Sequence, residues 1–297
     1  GHLVNTYEFA PLDGAPVRHC GPGTHIDLEV QEGCLRQYSL VALRDDAYVV
    51  AVQRERASRG GSTHLHDTAR VGDRFRGGDP RNLFGLDETA AHSVLIAGGI
   101  GIAPMLPMIT RLDALGASWE LHYAWRAGEV PFERDLRRHA GRVTLAIRDA
   151  PGYRRLEVER LVAEAHTGST FYCCGPEAML ESFRHATAAL PESRVHVEHW
   201  AAAEPVAADG GYVAVLARSG REIAVARGTT NLEALLDQGI ETPHSCQQGI
   251  CGACETGVIS GTPDHRDGIL SPSERAANKT MMICCSGSAG PRLVLDR

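Results

Sequence analysis

The sequence predicts a multidomain chain: an antiparallel β-barrel, then a doubly wound α/β domain, then a small C-terminal domain built around a cysteine loop. Three observations carry this. Residues 1–87 read as short alternating strands with no long amphipathic helix between them. From 88 to 200, apolar strand runs alternate with helical stretches, the pattern of a parallel sheet. Near the C-terminus, Cys246, Cys251 and Cys254 stand as C-x4-C-x2-C, with Cys284 and Cys285 beyond them.

Taken in order, the first part has strand signals at 25–30, 36–43 and 47–54, the last after the turn Arg44-Asp45-Asp46, and a turn plus strand at 71–75. Tyr7-Glu8-Phe9 also reads as strand with nothing before it to pair, which suggests a missing N-terminal strand. In the second part, strands are expected at 93–97, 119–125, 143–147, 169–174 and 194–200. A helix ends near Gly116, and another carries Met179, Phe183 and Leu190 on one face. Residues 201–210 have linker composition. Beyond them a hairpin (212–217 and 222–225), a short helix from Leu232 to Gln238 capped by Asn231, and strands at 255–260, 281–284 and 292–296 are expected. The division is therefore 1–87, 88–200, a linker at 201–210, and 211–297.

Length alone suggests about two domains of ~100–200 residues. A formal net charge of −7 and the absence of a dense Lys/Arg block argue against a nucleic-acid or anionic-membrane partner. The longest apolar stretch, 94–109, is broken by Gly98, Gly99, Gly101, Pro104 and Pro107, so no membrane span is expected. Nine cysteines, an odd number without a signal peptide, suit free thiols or metal ligands in a reducing, cytoplasmic compartment.

C-x4-C-x2-C is the plant-type spacing for a [2Fe–2S] cluster. Two irons need four thiolates, and a tight loop has to present three of them inward. Gly249 and Gly252 allow that loop to bend, and its amides can then face the sulfurs. On spacing alone either Cys284 or Cys285 serves as the fourth ligand. Zinc would more usually show C-x2-C pairs, and a disulfide framework would need an oxidising compartment.

Other motifs are weaker singly. Gly98-Gly99-Ile100-Gly101-Ile102-Ala103-Pro104 follows an apolar strand and precedes a helix, where a pyrophosphate is held. It departs from G-x-G-x-x-G because Pro104 takes the third glycine's place. Cys174-Gly175-Pro176 ends another strand of the same sheet, so a ligand crossing the strand ends meets both turns, with Cys174 beside a reacting nicotinamide carbon. On the barrel, Arg36-Gln37-Tyr38-Ser39 puts Arg36 and Tyr38 on one strand face and Ser39 on the other. Arg59-Gly60-Gly61-Ser62-Thr63 reads as a flexible turn suited to a terminal phosphate.

The order R-x-Y-S, G-G-S, G-G-I-G-I-A-P, C-G-P and C-x4-C-x2-C resembles the phthalate dioxygenase reductase family, the single-chain reductases of Rieske-type oxygenase systems, over essentially the whole chain. The resemblance implies a flavin domain, a nicotinamide domain and a C-terminal β-grasp ferredoxin domain. It implies FMN held by Arg36, Gln37, Tyr38 and Ser39, with Gly60, Gly61 and Ser62 at its phosphate. NADH would lie along Gly98, Gly99, Gly101 and Pro104, with Arg126 nearby and Cys174, Gly175 and Pro176 opposite. Trp200 would lie against the flavin, where the family usually has Phe. The family pattern C-x-S fits Cys284-Cys285-Ser286 and selects Cys284 as ligand beside Cys246, Cys251 and Cys254. FMN also fits the short chain between Ser62 and Val71, and Glu129 near Arg126 disfavours the extra phosphate of NADPH.

The implied activity is hydride transfer from NADH to FMN, followed by single-electron steps through the cluster to a separate Rieske oxygenase. Ser39 and Cys174 are the candidate catalytic residues, and a monomer is the family expectation. A cytochrome or di-iron monooxygenase as acceptor, or a redox sensor that signals, are the alternatives. Asp264-His265-Arg266-Asp267 is expected to tie a loop near the cluster rather than to dock a partner.

Overall fold

The computed structural model describes residues 3–55, 60–200, 205–207 and 209–297. Arg59 of the phosphate turn, and 201–204 and 208 of the linker, lie outside the described residues. By compactness the chain divides into Gly1–Glu198 and His199–Arg297. It is a multidomain protein: the first unit combines an antiparallel sheet with a doubly wound α/β sheet, and the second has a mixed sheet of the β-grasp kind.

The first sheet contains β1 (Val4–Phe9), β2 (His25–Gln31), β3 (Cys34–Ala42), β4 (Tyr48–Gln53) and β5 (Arg76–Gly77), in the order β1-β4-β3-β2-β5, all antiparallel. Ile26, Leu28, Val30, Leu40, Val50 and Val52 build its apolar core, closed by Leu65 of a short helix α1 (Gly61–Asp67). Burying each such side chain stabilises the fold by about 1.5–3 kcal/mol. Two sequence readings change here. The 59–63 segment is not a plain turn but runs into α1, with Gly60 at its N-cap. The strand at Val4–Phe9 finds its partner later in the chain, in Tyr48–Gln53.

The second sheet of this unit is parallel: β6 (Ser93–Gly98), β7 (Trp119–Trp125), β8 (Val143–Ile147), β9 (Thr170–Cys174) and β10 (Val195–Glu198), in the order β10-β9-β6-β7-β8. Every residue of β6 is buried, as a central parallel strand covered on both faces requires. Helices α2 (Met105–Ala114), α3 (Glu133–Leu136), α4 (Val158–Glu164) and α5 (Glu177–Thr187) supply the connections. Phe183, with Met179 and Leu190, packs on Val94, Ile96 and Phe171. The strand order reverses between β6 and β9, which makes the ends of those two strands the topological switch point.

The second unit has β11 (Tyr212–Leu216), β12 (Glu222–Val225), α6 (Asn231–Asp237), β13 (Glu255–Ser260), β14 (Pro263–Asp264), α7 (Pro272–Ala277), β15 (Thr280–Met282), β16 (Gly287–Ser288) and β17 (Arg292–Leu295). Its five-stranded sheet has the order β12-β11-β17-β13-β15, with β11 and β17 parallel. Leu232, Leu235, Met281, Ile283, Leu293 and Leu295 lie in its core. The cap of α6 is Thr230 rather than Asn231. Thr230 accepts from Glu233 N, and Glu233 reaches back to Thr230 N (2.8 Å), a reciprocal capping box. Asn231 is fully buried and donates to Ser286 O at 2.9 Å instead.

Candidate active site and cluster loop

In the first unit, close backbone packing assembles the switch point. A Cβ on Gly101 would stand 2.1 Å from Cys174 O, so only glycine lets the two turns approach this closely. A Cβ on Gly98 would meet Pro176 Cδ at 2.6 Å, and one on Gly175 would meet Gly98 N at 3.1 Å. The turns expected to flank one ligand therefore do lie against each other. Gly99–Ile102 form a 3-10 turn and Pro104 is the N-cap of α2, one step before the helix rather than within it. Arg126 is exposed just past β7.

On the antiparallel sheet, a Cβ on Gly61 would lie 2.8 Å from Arg36 Cγ, so the Arg36 side chain crosses the start of α1. Ser62 Oγ there accepts from Glu55 N at 3.1 Å. Tyr38 packs partly against the apolar core, and burial pushes its hydroxyl pKa up. Gln37 lies on the opposite face with Ser39 and donates to Asp27 at 2.8 Å.

Ser39 and Cys174 meet a third group that the sequence reading did not single out. Glu198 pairs in register with Cys174 at the ends of adjacent parallel strands. Ser39 Oγ donates to Glu198 Oε2 at 3.1 Å, and Cys174 Sγ lies 3.8 Å from the same oxygen. Ser39 is 2% exposed and Cys174 0%. Burial pushes the Glu198 carboxyl up to about 8, against the two hydrogen bonds, which pull it down. Glu198 as a residue keeps partial solvent access, but its carboxyl is enclosed, and the enclosure governs its ionisation. The readable signal is a carboxylate ending the last strand of the parallel set, Val195–Glu198. Trp200 falls two residues past Glu198, in the second unit.

In the second unit, the cysteine loop is held by main-chain geometry. Gly249 has φ +68°, and a Cβ there would meet Cys285 Sγ at 2.4 Å and Asp267 Cα at 2.9 Å. Cys246 N donates to Cys251 Sγ at 3.4 Å, and Gln248 N to Cys246 Sγ at 3.3 Å. The amides of Ile250 and Ala253 face Cys246 and Cys251 respectively. The Cys246 thiol lies in hydrogen-bond range of Cys251 and Cys284, and Cys254 of Cys284. Among the described residues no three His, Cys, Asp or Glu converge on one ion. The thiols run as a chain of neighbours, Cys251 beside Cys246, Cys246 beside Cys284 and Cys284 beside Cys254, a four-thiolate set of the number that two irons require. Cys285 directs its thiol to Met282 O at 3.6 Å.

Asp264 to Asp267 tie this loop. Asp267 Oδ1 accepts from Ile269 N (3.0 Å) and Leu270 N (2.7 Å). Gly268 N donates to Gly249 O at 2.9 Å, and Arg266 forks onto Asp264.

The two regions define a class: a flavin- and nicotinamide-dependent electron-transfer reductase with a plant-type ferredoxin module. The family described as "2Fe-2S iron-sulfur cluster binding domain" matches residues 215–287. The phenoxybenzoate dioxygenase subunit beta of Ectopseudomonas oleovorans is 50% identical, over 92% of this chain and 86% of its own length. The structure of phthalate dioxygenase reductase superposes with a TM-score of 0.69 at 32% identity, over 99% of this chain and 94% of that one. An intact type IV self-sufficient cytochrome P450 monooxygenase superposes with a TM-score of 0.90 at 37% identity; 99% of this chain is covered, but only 39% of that longer one. The chain belongs to the phthalate dioxygenase reductase family. It is an oxidoreductase whose cofactors are FMN, NADH and a [2Fe–2S] cluster. No helix among the described residues is long and apolar enough to cross a membrane.

Proposed function

We propose that this chain is the reductase component that feeds a Rieske-type oxygenase of the aromatic-ring dioxygenase or demethylase kind. The observation that carries this reading is a 50% identity running nearly end to end with a subunit of an aromatic dioxygenase. We further infer that 1–87 holds FMN, 88–200 holds NADH and 211–297 holds the cluster, with 201–210 as the link. NADH supplies two electrons as hydride, FMN takes such a pair and releases it singly, and the cluster carries one at a time.

The residues divide the work of binding and orientation. Arg36 with Gly60, Gly61 and Ser62 receives the FMN phosphate, and Tyr38 offers its ring. Gly98, Gly99, Gly101 and Pro104, with Gly175 and Pro176, receive NADH. Arg126 follows the end of β7, and Glu129 three residues on favours NADH over NADPH. Ser39, Cys174 and Glu198 orient the reacting ring edges and exclude water from them. Near neutral pH Glu198 holds its proton, so the site presents no fixed negative charge to an incoming hydride. Cys246, Cys251, Cys254 and Cys284 ligate the cluster. Ser39→Ala should slow flavin reduction several-fold in stopped flow, the scale of one lost hydrogen bond of ~1 kcal/mol; an unchanged rate would reject the role.

A second reading has one observation in its favour: the P450 monooxygenase whose structure contains a portion like this whole chain. Adding purified Rieske oxygenases, P450s and di-iron oxygenases to the reductase and following NADH-dependent oxygen uptake separates them. Coupled uptake with a P450 and none with any Rieske partner would sink the first proposal.

A further inference from the structure

Cross-strand geometry between β2 and β3 singles out His25. Leu40 N donates to Thr24 O at 2.9 Å, which makes 24/40 a hydrogen-bonded pair. His25/Ser39 and Asp27/Gln37 are then the alternate, non-hydrogen-bonded pairs, whose side chains stand closest. At Asp27/Gln37 the side chains do touch, at 2.8 Å. Both Asp27 oxygens also accept from Arg81 Nη2 at 2.7 Å. The His25 backbone is fixed in both directions by Arg81, N to O at 2.9 Å and O to N at 3.0 Å.

His25 is 5% exposed, and its Nε2 is buried without a partner among the described residues. Burial first, then the charge of Arg81, lowers its pKa to about 4 against the opposing pull of Asp27, so the ring is neutral at pH 7. A buried polar nitrogen with no partner costs about 1–3 kcal/mol, and such a group calls for an explanation. The side chain it faces across the strands is Ser39, whose hydroxyl is committed to Glu198.

We propose that His25 Nε2 is a hydrogen-bonding contact for the ring system of bound FMN, standing beside Ser39. This rests on the reading of β3 as the flavin strand. A neutral imidazole suits the task because either tautomer serves: the edge of an isoalloxazine presents both carbonyl acceptors and a ring N–H donor. It orients the ring without adding a charge that would hold electrons on it.

FMN binding to the full chain, read by quenching of flavin fluorescence and by the flavin visible bands, is the test. It needs no NADH and no acceptor. Wild type should bind FMN. His25→Leu should weaken that binding about tenfold and shift the flavin bands, while His25→Gln, which keeps a hydrogen-bonding group, should recover most of both. A His25→Leu chain with wild-type affinity and bands overturns the contact alone, as does a folded His25→Gln chain as weak as His25→Leu. Should His25→Leu not fold, the imidazole 15N resonance missing from His25→Gln identifies His25 in wild type. That resonance has to move when FMN is added, and a stationary one overturns the proposal. A wild-type chain that takes up no FMN overturns both this contact and the reading beneath it.

Discussion

The cysteine loop and the Ser39–Cys174–Glu198 site are built in opposite ways. The loop is local: three of its thiols lie within nine residues, and main-chain amides turned toward sulfur surround them. The other site draws one residue from an antiparallel strand and two from the ends of neighbouring parallel strands. It depends on side-chain hydrogen bonds and on the burial of an acid. A local site fails when a ligand is lost, whereas an assembled site fails when the packing that brings its parts together is lost.

The sharpest way to break this comparison is Cys251→Ala. It should abolish the cluster's visible and paramagnetic signals and transfer to one-electron protein acceptors. Reduction of bound flavin by NADH should continue at the wild-type rate, and its loss would deny the two regions their separateness. Next in size is Gly101→Ala, whose new methyl would stand 2.1 Å from the Cys174 carbonyl oxygen. Overpacking of this kind costs about 1–3 kcal/mol, so the melt of the first unit should drop and NADH affinity fall, with the cluster signal intact.

Glu198→Gln sharpens the contrast through pH. In the native fold the carboxyl keeps its proton from the ordinary 4.5 up to about 8. The unfolded chain releases it near 4.5, so between these values the unfolded state binds fewer protons. Stability should therefore fall as pH rises through that window and level off above 8. Thermal melts at intervals from pH 5 to 9 should show the slope in wild type and its reduction in Glu198→Gln. The smallest effect is Thr230→Ala, which removes the α6 cap and should cost about 1 kcal/mol in the second unit alone.

What was legible in the sequence follows the same division. The cluster loop can be read because ligation fixes residue type and spacing together, and the edges of β8 because the apolar-rich run Val143–Ile147 ends where charged residues begin. Glu198 was passed over because its meaning lies in Ser39, 159 positions away, a proximity that no local pattern encodes. His25 and Asp27 looked like the polar half of an alternating strand, and only the register against Gln37 and Ser39 gives them partners. Asn231 suits a helix cap by type, but Thr230 takes the position through the reciprocal bond with Glu233. The helix at Gly61–Asp67 was hidden by the glycines that open it.

Besides neighbouring thiols, peptide amides of Cys246, Gln248, Ile250 and Ala253 face the Cys246 and Cys251 sulfurs. An amide is the same whatever residue bears it. Replacing the side chains at 248 or 250 thus leaves this polar lining in place, whereas a proline at either position deletes one donor outright. The rim of the loop is free to diversify for recognition while the electronic setting of its centre is inherited with the backbone.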